Sequence, residues 1–190
     1  SVENDFTYGI GPGLGTDYET EEKLMHFLKN YNEPLVLDAD ALNLISKNSE
    51  NLNLIPKNSI ITPHPKEFSR LFGESKDSFE RLELAKSKAQ DLKIYIVLKG
   101  HHTQIITPEG NVFYNITGNS GLAKGGSGDV LLGIITSCLA QGYSPENAAI
   151  FGVWLHGKAA DFTAEKYSKE AMLASDVIQH IGEVFKYLQK

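Results

Sequence analysis

Short apolar runs alternate with longer amphipathic stretches along this chain, and the alternation limits the folds it can adopt. The apolar runs are short enough to be strands buried on both faces of a sheet, and they lie at 6–10, 35–37, 59–61 and 94–98. Helical patterns separate them, at 17–31, 40–46, 67–71 and 77–90. Strands separated by helices indicate an α/β fold, a three-layer sandwich with a mostly parallel sheet and helices on both faces.

The second half of the chain begins with a predicted hairpin and then becomes helical. Its strands are predicted at 103–107 and 111–115, around the turn Pro108-Glu109-Gly110. An amphipathic helix follows Asp129 and ends at Gly142. Ser144 with Pro145 predicts the start of the next helix, and Ser175 is predicted to cap the last one.

Composition limits the kinds of binding partner and the cellular compartment expected for the chain. A length of 190 residues suits one domain, predicted over 1–190. The net charge of −6 gives no general attraction to nucleic acid or to an anionic membrane, so any phosphate must be held by a local site. The single cysteine, Cys138, excludes an internal disulfide and favours a cytoplasmic location. The longest apolar stretch, at 130–139, is far too short to cross a bilayer.

The strongest chemical signal is a glycine-rich segment directly before the helix at Asp129. Residues 121–128 contain four glycines, which allow a tight turn and a close approach of the backbone to a ligand. The free N–H groups at the helix start would then bind a phosphate, and Asp129 beside them could accept a proton from an attacking hydroxyl. The alternative is that Asp129 only caps its helix. The segment is not a P-loop, because no Gly-Lys-Ser/Thr follows.

Two loops after the first strands are weaker candidates. The segment 10–17, Ile-Gly-Pro-Gly-Leu-Gly-Thr-Asp, could let the backbone approach a ligand, or it could be a plain turn capped by Thr16 or Asp17. The segment 37–43 carries Asp38 and Asp40, a pair that could hold a metal–phosphate unit. We expect Asp40 to cap its short helix and Asp38 to be the functional carboxylate.

Two further loops follow the next strands. Prolines on both sides of His64 stiffen its loop, so the imidazole could contact a ligand, while Glu67 is expected to cap the helix. At 99–103, Lys99 could meet a nucleotide phosphate, or the loop could be a solvated turn. No zinc pattern accompanies the paired histidines there, and we expect no structural metal. Three other histidines lie in predicted helices and are expected to be structural: His26, His156 and His180.

Five segments in this order resemble the NAD(P)H-hydrate dehydratase family, a carbohydrate-kinase-like branch of the ribokinase-like superfamily. They are Gly-Pro-Gly-Leu-Gly-Thr from Gly11, Leu-Asp-Ala-Asp-Ala-Leu-Asn from Leu37, Thr-Pro-His-Pro-Lys-Glu from Thr62, Val-Leu-Lys-Gly from Val97 and Gly-Gly-Ser-Gly-Asp-Val-Leu-Leu-Gly from Gly125. The resemblance covers nearly the whole chain. The last segment alone would also admit sugar and vitamin-precursor kinases.

The resemblance implies a repair reaction, in which ADP or ATP with Mg²⁺ phosphorylates the ring hydroxyl of hydrated NADH or NADPH and phosphate then leaves. ADP is the first expectation, and a homo-oligomer is expected. Asp129 would be the catalytic base. The implied nucleotide-binding residues are Lys99, Gly100, His101, His102, Thr103, Gly125, Gly126, Ser127 and Gly128. The implied substrate-binding residues are Gly13, Gly15, Asp38, His64, Asn119 and Asp129.

The chain departs from the family pattern at two places. The family's domain usually begins well upstream of the first glycine loop, whereas ten residues precede Gly11 here, so the domain is N-terminally short. The family often has Thr or Val where this chain has Lys124, and a lysine there could add phosphate affinity. Two other functions remain open on the residues alone: a small-molecule kinase that releases its phosphoester, and a nucleotide-binding module without turnover.

Overall fold

A computed structural model describes residues 6–189, and the predicted α/β sandwich is confirmed. One six-stranded sheet in the described residues has the strand order β1 to β6; β1 to β4 are parallel, and β5 pairs antiparallel with both β4 and β6. The strands are β1 Gly9–Ile10, β2 Val36–Leu37, β3 Ile60–Ile61, β4 Tyr95–Leu98, β5 Gln104–Ile106 and β6 Val112–Tyr114.

Within residues 6–189, seven α-helices cover the sheet. They are α1 Tyr18–Asn30, α2 Ala39–Ile45, α3 Pro65–Phe72, α4 Ser78–Leu92, α5 Ser127–Ala140, α6 Pro145–Tyr167 and α7 Ala174–Leu188. Two 3₁₀ helices lie at Ser49–Leu54 and Ser120–Leu122. Among these elements no helix is both long and apolar enough to cross a lipid bilayer.

The sheet has one apolar core on each face, because neighbouring strand residues point to opposite sides. Leu37, Ile61 and Ile96 pack into the core beneath α1 to α4. Their neighbours pack into the core beneath α5 to α7: Val36, Ile60, Tyr95, Val97 and Ile105. Helices that connect successive parallel strands therefore share one face, and the C-terminal helices cover the other.

Most predicted element boundaries are close to the observed ones. Some of the predicted helix caps are confirmed and others are wrong. Asp17 accepts a hydrogen bond from the Thr20 N–H at 3.0 Å and caps α1. Ser144 caps α6 with Pro145 behind it, as predicted. The first strand is shorter than the apolar run at 6–10, since only Gly9–Ile10 pairs with β2.

Two capping predictions are wrong. Ser175 lies inside α7, which begins at Ala174. The N–H of Leu173, the residue directly before the helix, donates to the carboxylate of Asp176 at 2.8 Å. Asp40 is not the cap of α2, because Asp38 occupies the position before the helix. In both cases the helix starts two residues earlier than a cap at the predicted residue would place it.

Candidate active site

The loops singled out from the sequence follow the carboxyl ends of β1, β2, β3 and β4. These four strands are parallel, so their ends meet at one edge of the sheet, where ligands of open α/β folds bind. The N-terminus of α5 reaches the same edge, since a Cβ placed on Gly128 would lie 3.2 Å from Asp38 Oδ2 and 3.6 Å from Lys99 Nζ. Residues far apart in sequence thus form one site.

The loop after β1 is fastened to the loop after β2. A side chain on Gly11 would overlap the carbonyl oxygen of Asp38, and Gly11 has φ of 149°, so only glycine fits there. The N–H of Gly15 donates to Asp40 Oδ2 at 3.0 Å. Gly13 has φ of 69° with open space around its Cα, so its backbone is accessible. The segment is both a capped turn and an exposed glycine backbone.

Asp38 and Lys99 form the charged centre of the site. Lys99 Nζ lies 2.7 Å from Asp38 Oδ1 and 3.8 Å from Glu67 Oε2. The side chain of Asp38 is only 2 % exposed, whereas that of Lys99 is 22 % exposed. Burial raises the pKa of Asp38, and the neighbouring Lys99 ammonium acts in the opposite direction. The lysine therefore stabilises a buried carboxylate and still reaches solvent, which does not fit a free surface lysine.

His64 and Glu67 form a reciprocal cap at the start of α3. His64 Nδ1 accepts hydrogen bonds from the N–H groups of Lys66 and Glu67 at 3.1 and 3.2 Å, and Glu67 Oε2 accepts the His64 N–H at 2.8 Å. The capping role expected of Glu67 is confirmed. The imidazole is held by these bonds, with Nε2 3.4 Å from Glu67 Oε1 and its side chain 43 % exposed.

The glycine-rich loop leaves an unfilled set of N–H donors at the start of α5. Gly126 precedes the helix with φ of 88°, and no side chain caps it. Within 6–189, the N–H groups of Gly125, Gly126, Gly128 and Asp129 have no hydrogen-bond acceptor. Ser127 is buried, and its N–H contacts the Lys124 carbonyl at 3.4 Å. Unpaired N–H groups at a helix N-terminus form a site for an anion.

Asp129 lies in the first turn of α5 and does not cap the helix, so the alternative of a simple N-cap is not what the structure has. Its side chain is exposed at the rim of an apolar groove between α5, α6 and α7, about 530 Å³ in volume. An exposed carboxylate beside free N–H groups could receive a proton from a bound hydroxyl.

Asn119 has a different environment from the other predicted substrate-binding residues. Its amide nitrogen donates to the Ala160 carbonyl and to Asp161 Oδ1, both at 3.1 Å, and its Oδ1 accepts the Gly121 N–H at 3.0 Å. These bonds fasten the beginning of the glycine-rich loop to α6. Asp161 also accepts the Gly118 N–H at 3.0 Å. The sequence reasoning missed Asp161, because nothing local marks a helical aspartate more than forty positions from its partners.

The turn between β4 and β5 contains the remaining predicted nucleotide-binding residues. Gly100, His101 and His102 are exposed. The two imidazole rings pack edge to face, with their centroids 4.4 Å apart. Thr103 Oγ1 lies 3.5 Å from the Gly100 carbonyl. The turn begins beside Lys99, so a ligand that reaches the lysine could contact it.

The carboxylates of Asp38 and Glu67 fit a nucleotide-bound Mg²⁺. They supply hard oxygen donors that both lie close to Lys99 Nζ, at 2.7 and 3.8 Å. In residues 6–189 no group of three or more potential metal-binding side chains occurs. Mg²⁺ in nucleotide enzymes commonly takes one or two carboxylates together with phosphate oxygens, so this donor set suits a metal that arrives with the nucleotide.

Comparison with known proteins identifies the family. A sequence model described as NAD(P)H-hydrate dehydratase matches residues 7–183. The ADP-dependent (S)-NAD(P)H-hydrate dehydratase of Neisseria meningitidis is 42% identical over 174 residues, which are 88% of this chain and 59% of that protein. The bifunctional NAD(P)H-hydrate repair enzyme Nnr of Moorella thermoacetica is 39% identical over 183 residues, 95% of this chain and 34% of that protein.

Solved structures of related proteins support the same family and fold. The ADP/ATP-dependent NAD(P)H-hydrate dehydratase of Bacillus subtilis, co-crystallized with ATP/Mg²⁺, superposes with a TM-score of 0.81 at 36% identity, over 94% of this chain and 63% of that one. Hydroxyethylthiazole kinase of Pyrococcus horikoshii shares the ribokinase-like fold at a TM-score of 0.73 and 18% identity. The chain spans about a third to two thirds of the relatives it matches. It belongs to the NAD(P)H-hydrate dehydratase family.

Proposed function

We propose that this chain carries the site for nucleotide-dependent dehydration of hydrated NADH or NADPH. The observation that carries the proposal is the group of unpaired N–H donors at the start of α5, with the Asp129 carboxylate beside them and not capping the helix. The relatives named as ADP-dependent and ADP/ATP-dependent dehydratases support the nucleotide and the substrate. The predicted homo-oligomer and cytoplasmic location remain predictions.

The proposed reaction has two parts. The ring hydroxyl of the hydrated cofactor attacks the terminal phosphorus of ADP or ATP, its proton passes to Asp129, and the phosphoanhydride bond breaks to leave AMP or ADP. The carbon–oxygen bond of the new phosphoester then breaks, phosphate departs, and loss of a ring proton restores the reduced nicotinamide. The first part needs a base near the hydroxyl and donors for the phosphoryl oxygens.

The residues of the site suit these requirements. The N–H groups of Gly125, Gly126 and Gly128 would donate to the phosphoryl oxygens and offset the charge that spreads over them. Lys99 would add a positive charge from β4. Asp38 and Glu67 would hold Mg²⁺, which when bound neutralises part of the phosphate charge. Gly13, Gly15 and His64 lie at the same sheet edge and would face the hydrated cofactor.

The test is recovery of the reduced-nicotinamide absorbance from hydrated NADH or NADPH with Mg²⁺ and either ADP or ATP. Asp129→Asn should lower the rate by at least about a hundredfold, as loss of a general base does, while nucleotide binding measured by calorimetry persists. Glu146→Gln removes the same charge from the first turn of α6 and should leave the rate unchanged. No recovery with either nucleotide would defeat the proposal.

Two other results would point to other functions. Accumulation of a phosphoester without recovery of absorbance would favour a small-molecule kinase. Nucleotide binding with no turnover of any acceptor would favour a binding module. Equal rates for Asp129→Asn and the unaltered chain would remove Asp129 from the chemistry.

A further inference from the structure

Lys124 is an exposed residue whose ammonium group donates to three backbone carbonyl oxygens. Its Nζ lies 3.3 Å from the carbonyl of Lys169, 2.5 Å from that of Glu170 and 2.9 Å from that of Met172. An ammonium has three hydrogens to donate, so these three acceptors use its full capacity. All three belong to the segment 168–173 that joins α6 to α7, which we call the α6–α7 connection.

The α6–α7 connection also packs directly on the glycine-rich loop. A Cβ on Gly121 would lie 2.8 Å from the Lys169 carbonyl and would overlap the sulfur of Met172. A Cβ on Gly126 would lie 3.2 Å from the Cβ of Ala174, where α7 begins. Glycine at these positions lets the two segments meet closely, and Lys124 lies between Gly121 and Gly126 in the chain.

Without a cation, this contact would place carbonyl oxygens next to a loop that has to bind an anion. The Met172 side chain is buried, with the residue only 1% exposed, and no carboxylate pairs with Lys124 in the described part of the chain. The ammonium neutralises the partial negative charge of the carbonyls and links them to the loop. Because its hydrogens are used, Lys124 is not free to bind a phosphate directly.

We propose that Lys124 is a positioning residue: its ammonium acts as a tethered cation that holds the α6–α7 connection against the glycine-rich loop and so orients the N–H groups of Gly125, Gly126 and Gly128 for phosphate. The proposal rests on the proposed function for the identity of the anion. It differs from the expectation of direct phosphate affinity.

The first test measures ADP binding by calorimetry without any turnover. Lys124→Ala should weaken ADP affinity about tenfold, the size expected when a charged hydrogen-bond group is removed. Lys169→Ala is the matched control, because it removes an equal charge from the same region while its backbone carbonyl stays in place. Affinity should change less than twofold in the control. An equal loss in both variants would mean that only net charge matters, and would overturn the proposal.

Chemical rescue distinguishes a missing cation from a general loss of structure. Ammonium or methylammonium ions can occupy the space of the Lys124 side chain and donate to the same carbonyls. They should restore ADP affinity of Lys124→Ala, whereas tetramethylammonium at equal ionic strength should not, because it has no N–H group. Failure of both small ammonium ions to restore affinity would overturn the proposal.

Amide hydrogen exchange separates this proposal from the proposed function. In Lys124→Ala, or in Lys124→Gln if the alanine variant does not fold, exchange should accelerate both at 120–128 and at 168–173 and stay unchanged in α1 and α4. This holds even if the unaltered chain binds no ADP, a result that would defeat the proposed function alone. Unchanged exchange at these two segments would refute the link made by Lys124.

Discussion

His156 makes a quantitative prediction about stability in acid. It lies on α6, 7% exposed, and its Nε2 has no hydrogen-bond partner among residues 6–189. Burial, together with the smaller effect of the nearby positive charge of Lys99, lowers the pKa of His156 from 6.5 to about 4. The folded chain therefore keeps this imidazole neutral at pH values where the unfolded chain protonates it.

The sign and size of the effect follow from proton linkage. Since the unfolded state binds the extra proton below about pH 6.5, acidification stabilises the unfolded state and lowers the free energy of unfolding. The loss is small near pH 7, grows by up to about 1.4 kcal/mol per pH unit, and reaches roughly 3 kcal/mol near pH 4. Between about pH 7 and pH 5 the His156 contribution is roughly 2 kcal/mol.

Urea unfolding of the unaltered chain and of His156→Leu at a series of pH values measures this contribution. Leucine keeps an apolar side chain of similar size and binds no proton, and other titrating groups cancel in the difference between the two proteins. The stability of His156→Leu relative to the unaltered chain should rise by roughly 2 kcal/mol from about pH 7 to pH 5. His26→Leu, at an exposed position in α1, is the control and should follow the unaltered chain. Parallel pH profiles for His156→Leu and the unaltered chain would show that the reasoning is wrong.

Three further substitutions probe packing and charge. Gly152→Ala should destabilise the chain by about 1–3 kcal/mol, because its Cβ would lie 2.7 Å from Ile135 Cγ1 between α5 and α6. Gly133→Ala should stabilise the chain by up to about 1 kcal/mol through helix propensity, since no atom lies within 4 Å of the new Cβ. Thermal midpoints that move in the same direction for Gly152→Ala and Gly133→Ala would contradict these two predictions. Lys99→Met should lower the free energy of unfolding by roughly 3 kcal/mol near pH 7, because it leaves the buried Asp38 carboxylate without its cation. Urea unfolding should show that deficit shrinking in acid as Asp38 takes up a proton, and a deficit independent of pH would contradict the pairing.

Local patterns predicted the parts of the fold that depend on neighbours in sequence. The apolar runs located β2, β3 and β4, and the polar residues Asp17 and Ser144 marked two helix starts correctly. Ser175 failed because Asp176 satisfies the N–H before α7 and no local rule chose between them. The glycine density before Asp129 predicted an anion site, which the unpaired N–H groups support.

Contacts between distant segments could not be read in the same way. The ion pair of Lys99 with Asp38 joins residues 61 positions apart, and it appears only when β2 and β4 lie in one sheet. The partners of Lys124 are carbonyl groups, which every residue has, so sequence carries no mark of them. The loops after parallel strands predicted the sheet edge at which these contacts lie. Only the fold shows which atoms are in contact.

The sequential strand order has a consequence for when the site can exist during synthesis. Strands β1 to β4 and the helices between them form one contiguous stretch of chain, while α5, whose first N–H groups are proposed to bind phosphate, follows the β5–β6 hairpin. The proposed nucleotide site therefore cannot be complete until the ribosome has synthesised α5. Under the proposed function, an emerging chain in which Asp38 and Lys99 are already in place would gain no stability from ADP until α5 has packed against the sheet.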